Sequence, residues 1–389
     1  MVLYVCLPGA QSNPTIAPGE KFALPGPNGA GETPLINFSC GIVNPTENFP
    51  GAGHYQLRGS GAIIRGAPNA KRPRGAVARK ASMSNDMRIG YNKPLYILPF
   101  DHRSSFEKGL FGWSGALSGE QTERVAQTKE VIYDGFKFAL GTGLAKDRAG
   151  ILVDEQFGSR ILRDASANGF ITAMPAEKSG EAEFQFEFGA QYDAHIKQFK
   201  PTFVKVLVRY NSEDNEAMNR RQAARLKELC DYCHSHNCYF MFELLVPATH
   251  AQLDVVEGDQ HLYDSDLRPS LMVAALDQLQ NAGVEPDVWK IEGLDRREDC
   301  LKIAEVARRG GREQVGCIVL GRGSNEQKVV EWLRTAAGVQ GFIGFAVGRT
   351  SFWEPLVAWR DNKLQRQQAV EKIAQRYLEW VKVFEGIPM

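Results

Sequence analysis

Pro286-Asp287-Val288-Trp289-Lys290-Ile291-Glu292-Gly293 reads as a short buried strand that carries a lysine. Val288, Trp289 and Ile291 favour a pleated, packed backbone, and Pro286 and Gly293 bound the run. Side chains alternate along a strand, so Val288, Lys290 and Glu292 share one face, and Trp289 and Ile291 share the other. A lysine inside an apolar strand is paired, reaches water along its stem, or does chemistry. An ion pair and a reactive amine are both open at this point, and the surrounding chain must decide.

On either side of this stretch, strands alternate with helices. The pattern predicts strands at 95–101, 150–154, 170–174, 203–208, 239–245, 288–292, 316–320 and 342–347. Helical periodicity falls between them, at 122–140, around Ile161, at 192–199, and from a cap in Asn211–Asp214 through Cys230. It resumes at 265–282, from Asp295 to Arg309, and from Ser324 to Ala337, and continues after the last strand to about Phe384. Eight such units in residues 90–389 predict an α/β fold, a (β/α)8 TIM barrel with a C-terminal helical extension. A doubly wound sheet is the rival, but it usually carries a glycine-rich turn after its first strand. Here that strand runs into Asp101-His102-Arg103-Ser104-Ser105.

Residues 1–82 hold 12 Gly and 10 Pro with no sustained apolar period. Such a segment cannot bury enough apolar surface to offset its ordering entropy. Residues 1–89 are therefore expected to form a disordered or non-native N-terminal extension, with Met83 and Met87 as alternative starts. The basic run Lys71–Lys80 is the one feature there that would suit an anionic partner.

Lys+Arg and Asp+Glu both number 46, which removes the global field expected for nucleic-acid or membrane-surface binding. No apolar run reaches the roughly 18 residues of a membrane span, and no secretory signal opens the chain. Seven cysteines, an odd number, suit reduced thiols in a cytoplasmic protein.

Barrel chemistry sits at the carboxyl ends of the strands. Polar residues gather there: Asp101, His102 and Arg103 after strand one, Asp154 and Glu155 after strand two, and Glu177 and Lys178 after strand three. Lys205 and Arg209 belong to strand four, Glu243 to strand five, and Lys290 and Glu292 to strand six. Strand seven ends in Gly321-Arg322-Gly323-Ser324 and strand eight in Gly348-Arg349-Thr350-Ser351. These last two turns suit a phosphate, because glycines admit backbone N–H groups and arginine binds the oxygens bidentately. Two ordinary glycine-containing turns are the plainer reading.

Alternation can turn Lys205, Glu243 and Lys290 all toward the barrel axis. One reading is a structural Lys–Glu–Lys network. The other is a Schiff-base lysine with a carboxylate acid/base and a second cation. A dry site and a neighbouring ammonium favour a neutral, nucleophilic amine, a service Lys205 could perform for Lys290. Glu243 could then move protons through carbinolamine, imine and enamine. That set fits a metal-free aldol cleavage.

Several stretches carry a resemblance. Pro94–Phe106 (PLYILPFDHRSSF), Phe203–Asn211 (FVKVLVRYN), Phe240–Leu245 (FMFELL) and Asp287–Glu292 (DVWKIE) look like strands one and four to six of an aldolase-like domain, and residues 92–360 resemble bacterial class I aldolases of the tagatose-1,6-bisphosphate type. The same residues resemble more closely the aldolase-like domain fused behind bacterial 5-dehydro-2-deoxygluconokinases of inositol catabolism. The resemblance implies Lys290 as the imine-forming lysine, Glu243 as acid/base, Lys205 lining the site, and Gly348 and Arg349 on phosphate. Asp101, His102, Arg103 and Arg209 are expected on the substrate, with Gly321, Arg322 and Gly323 completing the phosphate site. The implied reaction splits 5-dehydro-2-deoxygluconate 6-phosphate into dihydroxyacetone phosphate and malonate semialdehyde, without cofactor or metal. Two departures stand out: no kinase half precedes the barrel, and the strand-seven Gly-Arg-Gly is more basic than in the tagatose enzymes. The expected partner is a phosphorylated small molecule, with no nucleic acid and no membrane, and homo-oligomerization stays open.

Two other enzyme-level readings compete. A metal-dependent aldolase would place Zn²⁺ on His102, His250 and His261, although these lack ligand spacing. A non-catalytic sugar-phosphate-binding barrel would keep Arg349 and the glycines but need no reactive lysine. Cys230, Cys233, His234, His236 and Cys238 lack the second separated pair of a zinc site and are expected on the opposite barrel face. Trp353 and Trp359 are expected to pack.

Overall fold

A computed structural model describes residues 89–387. Before them it describes only strand pieces of two or three residues between Leu3 and Ile64, paired antiparallel among themselves. Those pieces apart, the disorder expected before residue 90 falls on residues outside this description.

Eight parallel strands close into a barrel. They are β1 Leu95–Pro99, β2 Ala149–Leu152, β3 Ile171–Pro175, β4 Phe203–Arg209, β5 Tyr239–Leu245, β6 Val288–Glu292, β7 Gly316–Leu320 and β8 Phe342–Ala346. The helices around them are α1 Gly119–Gly141, α2 Glu155–Ala167, α3 Tyr192–Phe199, α4 Glu216–Ser235, α5 His250–Val255, α6 Arg268–Asn281, α7 Arg297–Arg308, α8 Glu326–Ala336, α9 Arg349–Arg360 and α10 Arg366–Phe384. No helix of the described residues is long and apolar enough to cross a membrane.

The two faces of each strand do different work. Leu95, Ile97, Leu152, Phe203, Met241 and Val288 point inward and fill the lower barrel as one cluster. Their neighbours in sequence, such as Tyr96, Val204, Phe240 and Trp289, point outward into the larger core beneath the helices. One residue pair further along, the inward positions change from apolar to charged: Lys205 follows Phe203, Glu243 follows Met241, and Lys290 follows Val288. The barrel thus has a dry floor and an ionic layer at its carboxyl end. Burying those apolar side chains contributes about 1.5–3 kcal/mol each, enough to carry a costly polar layer above them.

Several boundaries differ from the sequence expectation. β1 ends at Pro99 instead of Asp101, although the Phe100 N–H still donates to the Leu152 carbonyl at 2.8 Å. Asn215, not Asn211–Asp214, caps α4, its side chain accepting from the Met218 N–H at 3.0 Å. Ser324 does not open α8: Asn325 does, accepting from the Lys328 N–H at 2.9 Å, and Ser324 offers its carbonyl to Thr350 Oγ1. Asp295 lies before α7 and accepts instead from the indole N–H of Trp332 at 2.7 Å. The chain between β5 and α6 is also more structured than expected, holding α5 and a π-helical turn at Tyr263–Leu267.

Candidate active site

The ionic layer forms a continuous row across neighbouring strands. Lys290 Nζ lies 2.8 Å from Glu243 Oε2, which also receives Lys205 Nζ at 2.9 Å. Lys205 Nζ further meets Asp101 Oδ2 at 2.9 Å and Glu177 Oε1 at 2.6 Å. Asp101 and Glu177 follow β1 and β3, and Lys205, Glu243 and Lys290 lie within β4, β5 and β6. Residues at adjacent register positions on parallel strands face each other, and Glu243 and Lys290 are such a pair.

Lys205 is fully buried. Burial disfavours its charge, but Asp101, Glu177 and Glu243 outweigh that and hold the ammonium well above the usual lysine range. Burial likewise opposes the charge of Asp101, yet Lys205, His102 and Lys290 pull its carboxyl below the usual range. Glu243 is lowered in the same way by its two ammoniums. Glu177 goes the other way: burial prevails over Lys205, the nearby Asp101 adds to it, and the carboxyl is raised. Its Oε2 is buried without a hydrogen-bond partner.

His102 borders this row. Burial pushes its imidazole down to about 4 despite Asp101, with Arg349 and Lys290 adding to the effect. The ring is therefore neutral near pH 7, and its Nδ1 is a buried atom without a partner. Unsatisfied buried polar atoms are costly in a folded chain and cluster where a ligand completes the bonding.

The turns after β7 and β8 lie together. Gly323 sits at φ +70°, a conformation that other residues rarely adopt, and a side chain there would displace the Arg349 guanidinium. Gly348 is similarly tight against the Pro99 carbonyl and His102. Arg349 begins α9, where backbone N–H groups and the helix dipole favour an anion. Arg322 is committed elsewhere: its Nε lies 3.0 Å from Glu292 Oε1 and its Nη1 2.7 Å from Asp264 Oδ2. Glu292 thereby acquires a role the sequence left unassigned. It also accepts from the Val246 N–H at 2.9 Å and faces Arg268 at 3.7 Å. Gly321 carries the turn and accepts from the Ser324 N–H.

Arg103 and Arg209 hold the rim together. Arg103 bonds Glu187 Oε2 at 2.6 Å and the Glu177 carbonyl at 3.0 Å, clamping the segment after β3. Arg209 is exposed and donates to the Glu181 carbonyl at 3.1 Å. The structure thus brings Lys290, Glu243, Lys205, Asp101, His102, Gly348 and Arg349 into one region and binds Arg103, Arg209 and Arg322 into its walls.

Two residues of the centre escaped sequence reasoning. Glu177 was noted at a strand end but given no function. Lys129 of α1 was overlooked: fully buried, it pairs with Asp154 and donates to the His102 carbonyl at 3.0 Å, fixing the β1 turn from below. Its signal was a lysine set in the apolar stripe of Val125, Ile132 and Phe136. Asp154 also caps α2, accepting from the Phe157 N–H at 2.9 Å.

His250 and His261 are exposed and do not join His102. Among the described residues no group of three or more His, Cys, Asp or Glu side chains is arranged to hold a metal ion. On the amino-terminal face His234 lies 3.3 Å from Asp287, whose carboxylate takes the Gly90 and Phe240 N–H groups. Trp353 packs edge-on against Phe106, as expected. Residues 83–386 match the family described as an uncharacterized protein conserved in bacteria (DUF2090), and the chain belongs to that family.

Proposed function

We propose that the barrel is a lyase, a class I aldolase that cleaves a phosphorylated keto sugar or sugar acid through an imine on Lys290. The observation that carries this reading is the row Lys290–Glu243–Lys205 on the inward faces of three successive strands. Lys205 is held protonated by three carboxylates and cannot act as a nucleophile. Lys290 touches Glu243, which can relay its proton during carbinolamine formation and dehydration. Lys205 keeps Glu243 ionised and ready to accept that proton. Arg349 and the first turn of α9 supply an anion site beside His102, suited to a substrate phosphate.

The resemblance to the inositol-catabolic aldolase domain favours 5-dehydro-2-deoxygluconate 6-phosphate as substrate. Incubation with that compound, with and without EDTA, is the test. Dihydroxyacetone phosphate released at the same rate in both supports the proposal. Release abolished by EDTA would favour a metal-dependent lyase, and no release would remove this substrate.

A further inference from the structure

We infer that Glu177 is a second acid/base of this site, acting on the aldehyde half of the substrate while Glu243 serves the imine. The inference rests on the aldolase reading above. Strand order gives the direction: the phosphate-suited turns follow β7 and β8, and Lys290 stands on β6. A ketose phosphate anchored at Arg349 and bonded at its carbonyl carbon to Lys290 has its remaining carbons leading over Glu243 and Lys205 toward β3. Glu177 stands at that end of the row, 2.6 Å beyond Lys205.

The position is built, not incidental. Arg103 holds the Glu177 carbonyl at 3.0 Å, and Glu177 forms an isolated antiparallel bridge with Phe186. The Ala176 N–H bonds the Lys205 carbonyl at 2.9 Å. One carboxyl oxygen is spent on Lys205, and the other, Oε2, is buried and unpartnered. An ionised oxygen in that position is penalised, whereas a protonated one that meets a substrate oxygen is satisfied. Asp101 and Glu243 are both held ionised by ammoniums and are poorer proton donors. Of the three carboxyls around Lys205, Glu177 is the one that burial raises above its ordinary range, which favours the protonated form that a donor needs.

In condensation, the enamine on Lys290 attacks the aldehyde carbon. The enamine electron pair forms the new C–C bond, the carbonyl π pair moves to oxygen, and that oxygen takes the Glu177 proton to become a hydroxyl. Lys290 is left as an iminium and Glu177 as a carboxylate. Cleavage is the reverse: Glu177 removes the hydroxyl proton, the O–H pair becomes C=O, and the C–C pair returns to the enamine.

The test separates the two halves. Glu177→Gln keeps an oxygen for Lys205 but has no transferable proton. Separate samples of wild type and variant are treated with dihydroxyacetone phosphate and borohydride, or assayed untreated for joining dihydroxyacetone phosphate to malonate semialdehyde or glyceraldehyde 3-phosphate. We expect trapping within about twofold of wild type and condensation lower by about 100-fold or more, the usual worth of a general acid. Wild-type condensation by the variant overturns the inference, as does trapping that falls in step with condensation, which would mark a purely structural role through Lys205. Absence of trapping in wild type removes the aldolase reading itself. If wild type traps the ketone but joins it to neither aldehyde, the aldol step is absent and the inference falls with it.

Discussion

Lys205 shows how one side chain sets the state of its neighbours. Three carboxylates converge on its ammonium inside the barrel. Removing one partner of a buried charge cluster leaves the rest uncompensated, at about 3–5 kcal/mol. Lys205→Met should lower the unfolding free energy in urea by that amount, and a loss below about 1 kcal/mol would mean the carboxylates find other partners. His102 gives a second measurement at this scale. Its folded value of about 4 lies below the ordinary histidine value of about 6.5. Folding thus favours the neutral ring, so its contribution to stability is complete above about pH 6.5 and is lost as pH falls through about 4. Side-chain NMR, assigned with His102→Gln, should show the imidazole neutral until about pH 4, and a midpoint near 6.5 would contradict its burial. Strand-borne residues of the site were legible in the sequence, because the period of two assigns their face. Glu177 was legible only as a polar residue after strand three and Asp264, on the π-helical turn before α6, not at all, because contacts between distant segments decide what each one meets and no periodicity records them.

At the scale of elements, the turns after β7 and β8 differ in what they can offer a ligand. Both carry glycine and arginine, and in sequence they look equivalent. Glu292 and Asp264 lie on other elements and claim Arg322, so Arg349 on α9 is the arginine left facing the site. Hydrogen bonds to a charged group contribute about 1.5–3 kcal/mol, so Arg349→Ala should raise KM for the phosphorylated substrate roughly 10- to 150-fold. The rate at saturation should change much less. An unchanged KM, or one raised equally for the dephosphorylated compound, would remove the phosphate role. Helix boundaries were the least legible feature. Asn215 and Asn325 win their caps over nearby candidates through single hydrogen bonds, and such local competition leaves no mark in hydrophobic pattern.

For the molecule as a whole, the count of eight strand–helix units was enough to reach the barrel, since each strand carries its own apolar run. The alternation that fills the floor with Phe203, Met241 and Val288 also lifts Lys205, Glu243 and Lys290 into one layer above it. Fold and site are thus two readings of the same periodicity. The central claim is that Lys290 forms an imine with a ketose phosphate. It is tested most directly by borohydride reduction in the presence of dihydroxyacetone phosphate and EDTA, followed by peptide mass mapping. A single reduced adduct on Lys290, absent in Lys290→Ala and untouched by EDTA, is the predicted result. No adduct, or an adduct on Lys205 instead, would contradict it.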